Sequence, residues 1–281
     1  MRMLIYAGPA PSREAVLQFS AQIAQHCASS LTLVTGGGAE RRPLLEDAAA
    51  RLRIPEHVPV TLSALPGNSQ VAILAAARAQ MYDLVILGRL HQPLGRLLPG
   101  VRSKAIAQRL EPSVLRVHGP ARSIRRILIS SGGDYHTFAD VDIAAQIAGP
   151  LGASVTLLHV VSQQSLLFEG FQVRRGTVER FLVDDSPEAQ ALRQAIVMLR
   201  DRGVACELKG RVGPVLDEIL AELRVGSYDM LVIGAHRVAS ALDRILLEDI
   251  TDDLLDVSPL PVLVVKGDSG RVESSKLKVQ N

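Results

Sequence analysis

Tryptophan is absent from this 281-residue sequence, and five Phe and four Tyr leave aromatics at 3% of the chain. Stacking platforms for unpaired bases need several aromatic faces, so no nucleic-acid partner is expected. An excess of either charge is missing too. Lys and Arg total 31 against 29 Asp and Glu, and a net charge of +2 is too small to draw a polyanion or an anionic membrane by bulk electrostatics. The two cysteines, Cys27 and Cys206, occupy non-equivalent places with no CxxC spacing and no His beside them, which argues against a metal centre and predicts two buried thiols. No apolar run approaches the ~18 residues that a membrane span requires. Met1–Tyr6 meets Gly8-Pro9 before a signal-peptide core could form. The expectation is a cytoplasmic protein with no membrane partner.

What the chain does contain is itself, twice. Gly67–Gly88 returns as Gly213–Gly234 at identical length, sharing Gly67/Gly213, Ile73/Ile219, Leu74/Leu220, Ala75/Ala221, Arg78/Arg224, Tyr82/Tyr228, Asp83/Asp229 and Gly88/Gly234. Ala21-Gln22-Ile23-Ala24 returns as Ala145-Gln146-Ile147-Ala148, and Ser30-x-Thr32-Leu33 as Ser154-x-Thr156-Leu157. The offset is 124 residues early and 146 later, so the second copy carries an insertion of about 22 residues, placed at 164–187. The domains are then 1–119 and 124–267, joined by the short linker Gly119–Ser123 and followed by a flexible tail, 268–281.

Short β-branched runs alternate with Ala-rich amphipathic segments in each copy, the pattern of a parallel sheet covered by helices. The predicted strands are Met3–Ala7, Leu31–Thr35, Val58–Ala64, Leu84–Leu87 and Ser113–Val117, then Arg126–Ser130, Ser154–Val161, Val204–Gly210, Met230–Ile233 and Val262–Val265. Predicted helices are Ser12–Cys27, Leu44–Arg53, Asn68–Gln80 and Ser103–Leu110. Another starts at Ser186-Pro187, a cap followed by a first-turn proline, and ends near Gly203. The fold class is α/β, with two doubly wound domains of five parallel strands and helices on both faces. The inserted segment Gln164–Asp185 mixes Leu166, Leu167, Phe168, Phe171, Phe181 and Leu182 with Arg174, Arg175 and Arg180, and is expected to pack on its own domain as a long loop.

Tyr228–Gly234, Leu157–Val161 and Pro259–Val265, with a fourth strand ending in Gly and a short helix leading to Pro-x-Val-Leu-x-Val, resemble the universal stress protein family. The resemblance spans residues 3–119 and 124–266. It implies Rossmann-like, adenine nucleotide alpha hydrolase-like domains and pairing of Ser113–Val117 with Val262–Val265 as an intramolecular pseudo-dimer. It also admits a homodimer of whole chains. One branch of the family binds ATP and another has lost that ability.

The family's ATP pattern is Gly-x2-Gly-x9-Gly-[Ser/Thr], in which glycines admit phosphates close to the backbone and a helix start receives their charge. In the first domain Gly88 matches, His91 replaces the second Gly, eight residues precede Gly100, and Val101 replaces the hydroxyl residue. In the second, Gly234 matches, but Arg237 replaces the second Gly and Glu248-Asp249 stand for Gly-Ser. From Leu84 to Leu110 no acid occurs among Arg89, Arg96, Arg102, Lys104 and Arg109, whereas the second domain places Asp243, Glu248, Asp249, Asp252, Asp253 and Asp256 near the corresponding helix. At the loop and helix after the fourth strand a triphosphate is therefore acceptable only in the first domain. The resemblance implies candidate nucleotide contacts at Gly88, Arg89, His91, Gly100, Arg102, Ser103 and Lys104. Ala7-Gly8-Pro9 and Ser130–Gly133 occupy the first-strand loop where ATP-binding relatives carry Asp. Gly36-Gly37-Gly38 and Ser131–Asp134 are further turns able to cradle a small anion, although Gly-rich turns are mostly only turns.

No nucleophile, base and orienter fall into a catalytic pattern. His159 lies on an apolar strand as a core group, while His91 and His236 follow the fourth strands, where ligands of α/β sheets collect. The sequence thus predicts a non-enzymatic binding or regulatory module of a stress response, with degenerate ATP motifs and no cofactor. The alternatives are an ATP or AMP sensor using the first domain, and a nucleotide hydrolase.

Overall fold

The computed structural model describes residues 1–10, 12–88, 90, 109–120, 122–133, 136–161, 186–235 and 250–266. The strands are β1 (Arg2–Tyr6), β2 (Ser30–Gly36), β3 (Val60–Leu65), β4 (Leu84–Leu87), β5 (Ser113–Arg116), β6 (Arg126–Ser131), β7 (Ser154–Val161), β8 (Cys206–Val212), β9 (Met230–Gly234) and β10 (Val262–Val265). The helices are α1 (Arg13–Cys27), α2 (Arg42–Leu52), α3 (Ser69–Ala79), α4 (Thr137–Leu151), α5 (Pro187–Asp201) and α6 (Val215–Val225), and residues 250–257 form α7. All ten strands join one sheet in the order β3-β2-β1-β4-β5-β10-β9-β6-β7-β8. Each half is parallel throughout, and the halves meet antiparallel where β5 pairs with β10.

Period-two alternation sends Met3, Ile5, Leu84, Ile86, Leu115 and Leu263 to one face of the sheet and Leu4, Tyr6, Val85, Leu87, Val114 and Val264 to the other. Both faces are covered, so the strands are apolar on both sides, as parallel sheets require. One face carries α2, α1, α4 and α5 in a row, each packed on the next. The repeated tetrapeptides lie on α1 and α4, the two helices that meet across the centre. Gln22 spans to the linker, donating to the Arg122 carbonyl at 2.9 Å and accepting from the Ile124 amide at 2.9 Å, and the Cys27 thiol donates to the Gln146 carbonyl at 3.4 Å.

The third strand of each half begins two residues later than the apolar pattern predicts. Val58 and Val204 are buried, but their amides are spent elsewhere: Val58 donates to Pro55 and Val204 to Leu199 at the end of α5. Burial alone therefore mimics a strand residue at both places. Ser186 caps α5 by accepting from the Ala189 amide at 3.3 Å, with Pro187 in the first turn, as the sequence indicates. Both cysteines are half-buried, a correction to the buried thiols expected, and burial still pushes the Cys27 thiol up to about 11. Most of the predicted helix Ser103–Leu110, the insertion Gln164–Asp185 and the tail 268–281 lie outside the described residues. Among those described, no helix is long and apolar enough to cross a membrane.

Candidate functional site

In doubly wound sheets ligands bind beyond the carboxyl ends of the strands, where the strand order reverses. Here these places are the ends of β1 and β4 in the first half and of β6 and β9 in the second. Of the seven candidate nucleotide contacts, Gly88 is described, and Arg89, His91, Gly100, Arg102, Ser103 and Lys104 lie outside the described residues. Gly88 is buried directly after β4. A Cβ built there would stand 2.3 Å from Ser12 Oγ and 2.6 Å from Val16 Cγ2. Its missing side chain is what lets the start of α1 approach the end of β4.

The end of β1 is filled by Tyr6. The side chain is 6% exposed and turns over the loop, so that a Cβ on Gly8 would lie 2.4 Å from its hydroxyl oxygen and 2.7 Å from Thr35 Oγ1. Burial pushes the phenol's pKa up, while a hydrogen bond with Ser69, at the start of α3, and the charge of Arg41 pull the other way. Arg13 locks the same loop by donating to the Ala7 carbonyl at 3.0 Å and to the Leu44 carbonyl and Asp47 carboxylate at 2.9 Å.

The Gly-rich turns are occupied from within. Gly37 and Gly38 adopt φ of 102° and 85°, but their amides donate to the Gly67 and Leu65 carbonyls, each at 2.9 Å. In the second half the Gly133 amide donates to Ser131 Oγ at 3.0 Å, and that hydroxyl bonds to Thr137 Oγ1 at 2.6 Å. His159 lies against this turn, 9% exposed, with Nδ1 3.2 Å from the Ser131 carbonyl oxygen. Burial lowers its pKa, only partly offset by the Ser131 carbonyl and the charge of Glu188. It is the satisfied core group expected from its strand.

Asp134, His236, Arg237, Asp243, Glu248 and Asp249 lie outside the described residues. Of the other acids at this end, Asp252 is buried and Asp256 pairs with Arg116 at 3.3 Å. Arg116 also donates to the Leu255 carbonyl near the end of α7, and in return Lys266 donates to the Leu110 carbonyl of the first half. Each half thus sends a cation to a carbonyl of the other.

A buried ionic cluster escaped the sequence reading. Glu222 is 3% exposed inside α6 and accepts from the Tyr228 hydroxyl at 2.7 Å, Lys209 at 3.0 Å and Arg211 at 2.8 and 3.0 Å. Arg211 also holds Glu218 at 3.0 Å, and Arg126 lies 5.2 Å from the centre of the Tyr228 ring. Burial raises the Glu222 pKa, but the hydrogen bonds from Tyr228, Arg211 and Lys209 outweigh it and hold the carboxyl below its ordinary range. Glu218, Glu222, Lys209 and Arg211 each have an oppositely charged partner within the cluster, so it is suited to holding β8 on α6 rather than to chemistry. The signal was present in Glu207-x-Lys209-x-Arg211 facing an i, i+4 pair, Glu218 and Glu222.

Two open grooves lie away from the carboxyl ends of the strands. One of about 360 Å³ runs between α1 and α2 beside Glu14, Leu17 and Arg51; the other, about 340 Å³, is bounded by Arg122, Arg224, Tyr228 and Pro259. Among the described residues no three His, Cys, Asp or Glu side chains gather as a metal site.

The model of the universal stress protein family matches residues 124–266. Three solved structures are similar along almost the whole chain. A putative universal stress protein from Pseudomonas aeruginosa UCBPP-PA14 is 19% identical with a TM-score of 0.70, covering 100% of this chain and 98% of its own. A functionally unknown protein from Pseudomonas aeruginosa PAO1 is 20% identical with a TM-score of 0.68 over 100% and 98%. A universal stress protein from Archaeoglobus fulgidus DSM 4304 is 14% identical with a TM-score of 0.66 over 95% and 97%. At these identities the likeness is one of fold. No curated protein matches this chain.

Proposed function

Because the chain belongs to the universal stress protein family, we propose that it is a non-enzymatic, cytoplasmic binding and regulatory module of a stress response whose ATP motifs are degenerate in both halves. The observation that carries this reading is that the chain's own groups occupy the turns beyond β1, β2 and β6. Tyr6 covers Gly8, the Leu65 and Gly67 carbonyls take the amides of Gly38 and Gly37, and Ser131 takes that of Gly133. A triphosphate is held chiefly by free backbone N–H groups at such turns, and each of these would first have to surrender an internal bond. The reading needs no cofactor. It takes the β5/β10 seam as an internal dimer interface, and further pairing of chains as compatible with it.

Equilibrium dialysis with labelled ATP at physiological salt tests the reading. No retention is expected, and one micromolar site per chain would sink it. A second reading has one observation in its favour, the absence of any acid among five basic residues between Leu84 and Leu110. In that case the first half is an ATP or AMP sensor using Gly88, Arg89, His91, Gly100, Arg102, Ser103 and Lys104, and Arg102→Glu with Lys104→Glu abolishes retention. Phosphate release over hours, compared with buffer, addresses hydrolysis, and no excess is expected.

A further inference from the structure

The groove bounded by Arg122, Arg224, Tyr228 and Pro259 lies at the amino ends of β6 and β9, the opposite end of the strands from the degenerate ATP motifs. The linker supplies Arg122, the last turn of α6 supplies Arg224, and Leu223 and Leu260 add apolar wall. Arg126, the first residue of β6, belongs to the same place. Its guanidinium lies 5.2 Å from the centre of the Tyr228 ring, and alternation along β6 puts it on the face of Leu128, where Leu223, Tyr228 and Leu260 also pack. None of these three arginines makes a side-chain hydrogen bond or an ion pair among the described residues.

The first half shows the same place with its charges balanced. There Arg2 gives both its amide and its guanidinium to Asp83, at 2.7 and 2.9 Å. Counting back from the matched pair Leu115 and Leu263, Glu111 stands in the position of Pro259, so the cations Arg2 and Arg78 meet the acids Asp83 and Glu111. In the second half the amides of Arg125 and Arg126 both take Asp229 Oδ2, at 2.9 and 3.0 Å, and the Arg126 guanidinium turns to the Tyr228 ring instead. Pro259 brings no charge and the linker adds Arg122. Three guanidinium groups against one carboxylate leave a surplus of two positive charges. The space differs as well. Gln80 sends its side-chain amide to the Tyr82 hydroxyl at 2.6 Å and to Thr32 Oγ1 at 3.0 Å, whereas its counterpart is Gly226, where a Cβ would stand 2.0 Å from the Tyr228 ring. No side chain can project over Tyr228 from that position, and the groove stays open.

We propose that this groove binds the phosphate monoester of a small organic molecule, at a site separate from the ATP motifs. A phosphate monoester carries about two negative charges at neutral pH and presents three terminal oxygens, which matches both the surplus charge and the three guanidinium groups. The planar fork of arginine suits phosphate oxygens better than a point charge does. A dicarboxylate has the same charge but divides it between two ends. The groove, about 340 Å³ with Leu223 and Leu260 in its wall, takes the organic part, as small-molecule sites combine apolar lining with a few charged groups.

Isothermal titration calorimetry of the full chain in a low-salt chloride buffer, with phenyl phosphate, inorganic phosphate and succinate as probes, provides the test. Phenyl phosphate is expected to bind one site per chain, at least tenfold more tightly than inorganic phosphate or succinate, and to weaken as salt is raised. Arg122→Gln with Arg224→Gln alters two exposed side chains, so circular dichroism and thermal midpoint should stay unchanged while the affinity for phenyl phosphate falls at least tenfold. As a second variant, Ser227→Glu, also at an exposed position, puts a carboxylate at the groove and should abolish binding. No heat from phenyl phosphate at millimolar concentration, inorganic phosphate or succinate binding as tightly as the ester, or a folded double variant with wild-type affinity would each overturn the inference.

Discussion

Leu115 on β5 lies directly opposite Leu263 on β10, its own counterpart in the second copy. The correspondence follows from register, since Ile86 pairs with Leu115 as its equivalent Val232 pairs with Leu263. The pseudo-twofold axis of the molecule therefore passes between these two leucines. Val114 faces Val264 on one side of the axis and Arg116 faces Val262 on the other. Symmetry fails at the next step: Arg116 stands where the second half has Val264, and Arg116 reaches across to Leu255 and Asp256 of α7.

Arg116 should accordingly support the seam more than any surface arginine. Its side chain is 10% exposed, with Leu255 and Asp256 as partners and Nε buried without one. Arg116→Ala leaves the Leu255 carbonyl open and a cavity beside β10, at a cost of about 3 kcal/mol. Arg116→Met, which restores the apolar volume and removes the buried charge, should cost less than half as much. Urea unfolding of the two variants, read by circular dichroism, checks the order.

The repeat, the positions of the strands along the chain and the class of fold were legible because parallel strands buried on both faces leave apolar runs that survive divergence. Details that depend on backbone hydrogen bonds were not. Val58 and Val204 look like strand residues because they are buried, yet their amides belong to turns. The Tyr-Asp pair repeated at residues 82–83 and 228–229 was visible as a match without a reason. In the structure Asp83 accepts from the Arg2 amide at 2.7 Å, and Asp229 from those of Arg125 and Arg126 at 2.9 and 3.0 Å, which fixes the start of β1 and β6. At the candidate site the sequence pointed to Ala7-Gly8-Pro9 but not to Tyr6, because nothing in the spacing says that a strand residue's side chain will turn over the loop after it.

Glu222 is the common acceptor of the ionic cluster in the second half. Its counterpart in the first half is Ala76, so Glu222→Ala is sterically tolerated while Lys209, Arg211 and the Tyr228 hydroxyl lose their common acceptor. The cost should be about 3 kcal/mol, at the low end for a broken buried pair because both cations keep some contact with water. The carboxyl is held below its unfolded value near 4.5, so its contribution is complete above that pH and is lost as pH falls through the lowered native value. Wild-type stability should therefore drop more steeply in acid than that of Glu222→Ala, measured as thermal midpoints below pH 5.

Gly88 separates a packing role from a ligand role. Gly88→Ala should destabilise the chain by about 2 kcal/mol with no nucleotide present, because its Cβ would collide with Ser12 and Val16. Combining it with Val16→Ala should cost less than the sum of the two single changes, since the second change opens the space the first requires. Strict additivity in a double-mutant cycle would mean that the glycine is not there for the approach of α1.

His159 gives the chain a pH response distinct from that of Glu222. Burial depresses its pKa from 6.5, so the native state holds the ring neutral while the unfolded chain takes up a proton more readily. Stability from this source is complete above 6.5 and declines as pH falls below it, since the unfolded state then binds more protons. Glu188 opposes the shift, because its carboxylate favours the protonated ring. Glu188→Gln should therefore lower the His159 midpoint further, seen in an imidazole proton titration by NMR. His159→Gln should remove the part of the stability loss between pH 6.5 and 5 that wild type shows and leave the more acidic limb, which belongs to Glu222, in place. A midpoint at or above 6.5 in the wild-type chain would mean that the ring is not shielded by the Ser131–Gly133 turn, and that the end of β6 is open to solvent and to ligands after all.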